Sequence, residues 1–154
     1  MGGYPQCGRD QEESGAGCPE GADMRYVLDT NTLIYFFKGM GKVADRLLAL
    51  PPSEIGIPTI VLYELEVGIA KAKSPQKRAA QFQEFTSLVN ILPFGLAEAK
   101  CAAMIRAKLE KKGISIGPYD VLIAASALAS HWTLVTHNKE ELGRVEGLKI
   151  EDWF

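Results

Sequence analysis

The chain is poor in cysteine and histidine and has no long apolar run, and each scarcity removes a class of function. Its three cysteines, Cys7, Cys18 and Cys101, are odd in number and lack paired metal-ligand spacing, which points to a reducing, cytoplasmic setting and no zinc site. The two histidines, His131 and His137, fit no catalytic triad pattern and are expected to be structural or surface residues. No apolar stretch approaches the roughly 20 residues that cross a bilayer, so no membrane role is expected. The first residues lack the basic start and apolar core of a secretory signal, which argues against export. Charge of one sign is also not in excess, because the formal net charge over 154 residues is -2. It is unevenly spread: residues 1–23 carry five acids against Arg9, and the rest carries 14 acids against 16 bases. That mild basic balance is compatible with a nucleic-acid partner but does not argue for one.

What is present is an ordinary globular composition, 47% hydrophobic and 23% charged, long enough for one domain with a substantial core. Residues 1–23, rich in Gly, Pro, Glu and Gln, are expected to form a disordered or non-native tail, with the natural start at Met24 and the domain spanning 24–154. The organising stretch is Arg25 onward, where Tyr26-Val27-Leu28 reads as a buried strand that ends abruptly in Asp29. Thr30 or Asn31 is expected to cap a helix with Leu33, Ile34 and Phe37 inward. A short helix over 43–50 stops at Pro51-Pro52, and Ile55-Gly56-Ile57 reads as a second strand. Thr59 is expected to cap a helix through about 72 with Leu62, Leu65 and Ile69 inward. Ser74-Pro75 opens a helix with Phe82, Phe85 and Leu88 at helical spacing, and 89–92 reads as a strand. Residues 96–112 form the clearest helix, with Ala99, Ala102, Ala103, Ile105 and Leu109 inward, ending at Gly113. After a loop, 121–128 is helical and apolar all round, then 132–136 and 148–150 close the chain as strands. Strands alternating with helices through short links imply an α/β fold with a parallel sheet and right-handed crossovers.

In such a sheet, strand carboxyl ends and the following helix amino ends share one edge, where ligands bind. Asp29, Glu64 and Asp120 all occupy that kind of position, and Asn138 and Glu141 follow a strand to the same edge. Each also has a plainer reading: Asp29 and Asp120 as helix caps, Glu64 and Glu141 as surface charges, Thr30, Asn31 and Thr136 as caps. Carboxylates gathered without bases repel, and a hard divalent cation relieves the repulsion. Mg²⁺ typically takes one or two protein carboxylates and is completed by water and phosphate oxygens. The lysine-rich runs Lys71, Lys73, Lys77, Arg78 and Lys108, Lys111, Lys112 read as solvated faces or as grips for phosphate.

Four motifs in register carry a resemblance: Leu28-Asp29-Thr30-Asn31-Thr32; Tyr63-Glu64-Leu65-Glu66-Val67-Gly68; Ile116-Gly117-Pro118-Tyr119-Asp120 with Ile123-Ala124-Ala125; and Val135-Thr136-His137-Asn138 with Glu141-Leu142. Their order and spacing resemble PIN-domain ribonucleases and, more narrowly, the VapC toxins of bacterial toxin-antitoxin pairs. The resemblance covers 24–154, and the closing 147–154 looks like the end of the enteric-type members. It implies a three-layer α/β/α domain with a five-stranded parallel sheet, and an endoribonuclease dependent on Mg²⁺, or on Mn²⁺ as a substitute. It implies that Asp29 and Asp120 hold the metal with Glu64 beside them. Asn31, Thr136, Asn138 and Glu141 are auxiliary. It implies structured RNA (tRNA or rRNA) as substrate, a VapB-type antitoxin as partner, and a homodimer. Many PIN domains carry a further Asp where this chain has Asn138. Either a neutral ligand suffices there, or Glu141 supplies the charge, or a second metal binds less well. Two rivals remain: a phosphatase using Asp29 as nucleophile, which lacks a general acid at position 31, and a catalytically weak binding module presenting patches such as Tyr35-Phe36-Phe37.

Overall fold

The computed structural model describes residues 24–154; the expected tail at 1–23 lies outside them. Five short parallel strands form one sheet in the order β3-β2-β1-β4-β5: β1 (Tyr26–Leu28), β2 (Ile55–Pro58), β3 (Asn90–Leu92), β4 (Thr133–Val135) and β5 (Ile150–Glu151). The registers pair Val27 with Gly56 on one side and with Leu134 on the other, so β1 is central. Among the described residues seven α-helices connect the strands: α1 (Thr30–Lys38), α2 (Val43–Leu48), α3 (Thr59–Ala70), α4 (Pro75–Leu88), α5 (Leu96–Lys111), α6 (Pro118–Ser130) and α7 (Lys139–Leu142). After β3 the chain returns past β1 to add β4. The direction of strand addition therefore reverses between β1 and β4. With right-handed crossovers, α1 to α4 cover one face while α5 and α6 cover the other. In keeping with this, α1 packs on α2 and α3, α3 on α4, and α5 on α6.

The core runs through the sheet. Val27, Leu28, Ile57, Leu134 and Val135 are wholly buried, as are Leu33, Val61, Ala124, Ala125 and Ala127 from the helices. Each fully buried Val, Leu or Ile side chain contributes about 1.5–3 kcal/mol. Gly56 is needed where it is because a Cβ on β2 would run into the Trp132 ring. No helix among the described residues is long and apolar enough to cross a membrane.

Several local expectations shift. Asp29 itself, not Thr30 or Asn31, is the N-cap of α1, and Pro58, not Thr59, stands at the cap of α3. The inward face of α5 is Cys101, Ala102, Ile105 and Leu109, whereas Ala99 and Ala103 are exposed. Leu88 also points to solvent. The last strand lies at Ile150–Glu151 rather than 148–150. Tyr35, Phe36 and Phe37 are half-buried rather than a free patch: Phe36 packs on Phe85 and Phe37 on Phe82, with ring centroids 5.4 and 6.2 Å apart.

Candidate active site

The switch point between β1 and β4 opens a crevice at their carboxyl ends, the place where open α/β sheets bind ligands. Asp29, Thr30, Asn31, Glu64, Gly117, Pro118, Tyr119 and Asp120 line a cleft of about 210 Å³ there. Four elements meet in it: the β1–α1 junction, the second turn of α3, the loop before α6, and the first turn of α6.

Asp29 is 5% exposed. Its Oδ1 accepts the Thr32 N–H at 2.8 Å, which caps α1, and the neighbouring Thr136 side chain also favours its anion. Burial pushes its carboxyl above the ordinary value, outweighing these interactions, which favour the anion. Thr32 fixes the junction further by donating from Oγ1 to the Val135 carbonyl at 3.1 Å, the same oxygen that accepts the Asp29 N–H at 3.3 Å. The end of β4 and the start of α1 are thereby stitched together directly beneath the acid.

Asp120 lies in the first turn of α6, whose N-cap is Gly117 with no side-chain bond, so the plain capping role does not apply to Asp120. A helix amino end ordinarily favours an anion. Here the carboxyl is instead pushed up to about 6, first by burial and then by the charges of Asp29, Glu141 and Glu64. Gly117 makes room for it: a Cβ at that position would sit 3.0 Å from Asp120 Oδ2. Glu64 accepts a hydrogen bond from Thr30 Oγ1 at 2.9 Å, which ties the acid on α3 to the start of α1.

The auxiliary positions divide. Asn31 is exposed on the cleft wall. Thr136 is fully buried, favours the Asp29 anion and accepts the Asn138 N–H at 3.0 Å. Asn138 and Glu141 are not among the lining residues; the Asn138 amide donates to Glu141 Oε2 at 3.1 Å, and Glu141 reaches the cleft through its charge on Asp120. From the sequence Thr30 reads as a cap and Thr32 has no assigned role. Their bonds to Glu64 and to the β4 carbonyl join residues 34 and 103 positions apart, pairings that local sequence cannot signal.

No lysine, arginine or histidine is among the cleft's lining residues. Among the described residues no group of three or more His, Cys, Asp or Glu side chains is arranged as a ready-made metal cage. The donor set is nonetheless that of a hard divalent cation, which needs only one or two protein carboxylates and takes the rest from water and phosphate.

Residues 26–148 match the PIN domain family. The chain belongs to the PIN-domain VapC ribonucleases. It is 35% identical over 130 residues to the tRNA(fMet)-specific endonuclease VapC of Salmonella typhimurium, covering 84% of this chain and 98% of that one. It is 37% identical over 135 residues to ribonuclease VapC2 of Rickettsia felis, with the same coverage. Its fold superposes on the Salmonella typhimurium VapBC complex bound to DNA with a TM-score of 0.80 at 34% identity, covering 85% of this chain and 99% of that one. VapBC2 of Rickettsia felis, bound to a promoter DNA fragment, gives 0.79 at 34% identity and covers 85% and 100%. As a VapC-family member the protein is a toxin-antitoxin ribonuclease, and the phosphatase reading falls.

Proposed function

We propose that this VapC-family ribonuclease cleaves a phosphodiester bond of structured RNA, of the tRNA or rRNA class, at the Asp29–Glu64–Asp120 cleft, so that translation stops. The observation that carries the assignment to this site is the gathering of three acids with no base among the cleft's lining residues, where burial first and the neighbouring charges second hold Asp120 near 6. Asp29 and Asp120 would hold Mg²⁺ or Mn²⁺, with Glu64 beside them. When bound, the cation neutralises the carboxylates, lowers the pKa of a nearby water and offsets charge on the phosphoryl oxygens. Water adds to phosphorus and the bond to the 3′ oxygen breaks, leaving a 5′-phosphate and a 3′-hydroxyl.

The chain's own groups prepare that step. The Thr32 N–H holds Asp29 in one orientation, and the Thr30 hydroxyl does the same for Glu64. Glu141, which accepts a hydrogen bond from the Asn138 amide, adds to the negative field from the side of β4. A groove of about 470 Å³ shares Glu64 with the cleft and is flanked by Lys38, Lys73 and Arg78. Those cations suit the phosphates on one side of the cut. The relatives named above occur as complexes with VapB, which supports a VapB-type antitoxin as partner, and the substrate class places the work in the cytoplasm. Self-association as a homodimer is part of the same reading and is checked by sedimentation.

The test is cleavage of total bacterial RNA by purified protein in Mg²⁺ or Mn²⁺, with sequencing of new 5′-phosphate ends. A few dominant cuts that vanish with EDTA and in Asp29→Ala are expected. Cuts that persist in Asp29→Ala would overturn the site assignment, and RNA left intact by folded protein would overturn the reaction.

A further inference from the structure

Most aromatic side chains of the described domain are packed among other rings. Phe36, Phe37, Phe82 and Phe85 form one cluster, Tyr26 packs on Trp153, and Tyr35 packs on Phe154. Tyr63 and Tyr119 differ. They are 54% and 44% exposed, and they contact one another edge-to-face with ring centroids 5.9 Å apart. That ring contact joins α3 to α6 beside the cleft. Tyr63 immediately precedes Glu64 and Tyr119 immediately precedes Asp120, and Tyr119 is itself a lining residue. An edge-to-face contact covers one face of one ring at most, so the pair holds flat apolar surface open to water beside the acids.

We infer that Tyr63 and Tyr119 form a stacking platform that receives an unpaired RNA base next to the scissile phosphate. The inference rests on the ribonuclease reading and adds a means of substrate selection to it. An RNA base is flat, has a π-face whatever its identity, and is available to an aromatic ring only where it is unstacked from its neighbours. The platform therefore admits loops, bulges and ends, and discriminates against continuous duplex, whose bases are already stacked. The edge-to-face contact orients the two rings and leaves faces uncovered. The carboxylates of Glu64 and Asp120 follow each ring by one residue, so a base held on the platform fixes its adjoining phosphate at the cleft. Both tyrosines are positioning residues. A base stacked on an aromatic side chain typically strengthens binding by about 5- to 150-fold.

The experiment compares binding of two fluorescein-labelled 12-nucleotide RNAs, one of mixed sequence and unpaired, the other the same length with abasic ribose throughout. Binding is read by anisotropy in Ca²⁺, and cleavage of unfractionated tRNA in Mg²⁺ is followed alongside. Wild type should prefer the base-bearing RNA by about 5-fold or more. Tyr119→Ala and the Tyr63→Ala, Tyr119→Ala double variant should lose that preference and raise KM for tRNA more than they lower kcat. Tyr119→Phe should keep both, because it keeps the ring. Equal binding of the two RNAs by wild type, or a preference that survives in the double variant, overturns the platform while leaving the ribonuclease intact. A double variant with unchanged preference but altered sedimentation shows a protein contact instead and also overturns it. A base preference in wild type that goes with no cleavage keeps the platform and removes the ribonuclease reading.

Discussion

In the cleft, Asp29, Glu64 and Asp120 gather with no base among the lining residues, whereas at the end of β5 and just after it the acids Glu151 and Asp152 are each tied to cations. Glu151 Oε1 lies 3.0 Å from Arg46 Nη2 and accepts the Trp153 Nε1–H at 3.2 Å. Asp152 Oδ2 lies 3.0 Å from His137 Nδ1 and 3.4 Å from Lys139 Nζ, and its Oδ1 accepts the Phe154 N–H at 3.0 Å. The electrostatic outcomes are opposite. Burial alone would push the Asp152 carboxyl up, but the Phe154 N–H, His137 and Lys139 outweigh it and hold it below the ordinary value. Asp120 and Asp29 are both pushed up. The same residue type is neutralised where it closes the chain and left unneutralised where a cation and a phosphate are to be received.

The comparison breaks most visibly in activity. Asp29→Asn and Asp120→Asn should each lower RNA cleavage by at least about 100-fold, above the roughly 10- to 100-fold typical of groups that only orient a ligand. Asp152→Asn should leave kcat within about 2-fold while costing about 1–2 kcal/mol of stability, read by urea unfolding. Thr30→Val removes the hydroxyl that holds Glu64 and belongs to the orienting class, so a loss of about 10-fold or more in kcat/KM is expected at unchanged stability. Full activity in Thr30→Val would show that Glu64 needs no such hold.

Stability against pH separates the two regions by sign. Because the folded protein holds the Asp120 proton more tightly than the unfolded chain, its penalty is fully present above about pH 6 and is relieved as pH falls towards 3.8. Metal-free protein should therefore gain stability between pH 7 and pH 5, and Asp120→Asn should flatten that slope. Asp152, with its folded value lowered, contributes stability above the ordinary 3.8 that is lost only as pH falls below it. Thermal melts in EDTA at pH 7, 5 and 3 on the two Asn variants check both signs. The smallest effect expected is for Gly117→Ala, whose Cβ would press on Asp120 Oδ2; activity should fall by only a few-fold, since a carboxylate can swing by a few tenths of an ångström.

Much of this was legible in the chain before folding. The strands advertise themselves by short apolar runs ending at Asp29, Pro58 and Pro93, and a parallel sheet brings such ends to one edge whatever their separation. The acids of the cleft could therefore be chosen from position alone. The face of α5 could not, because alanines at 99, 102, 103 and 107 blur its periodicity and an alanine is at ease inside or out. Asp29 was weighed as a cap or a site residue; the structure makes it a cap and places its remaining carboxylate surface in the cleft, since one oxygen suffices for Thr32. The Thr30–Glu64 and Thr32–Val135 bonds depend on how α1 sits against α3 and β4, which no local pattern encodes.

The central claim is that the unpaired acids are a divalent-cation site and the paired ones are not. Isothermal titration of Mn²⁺ into metal-free wild type, Asp29→Asn, Asp120→Asn and Asp152→Asn tests it most directly. The account predicts saturable binding in wild type and Asp152→Asn that weakens by about 10-fold or more in both cleft variants. Binding unchanged in Asp29→Asn and Asp120→Asn would contradict it.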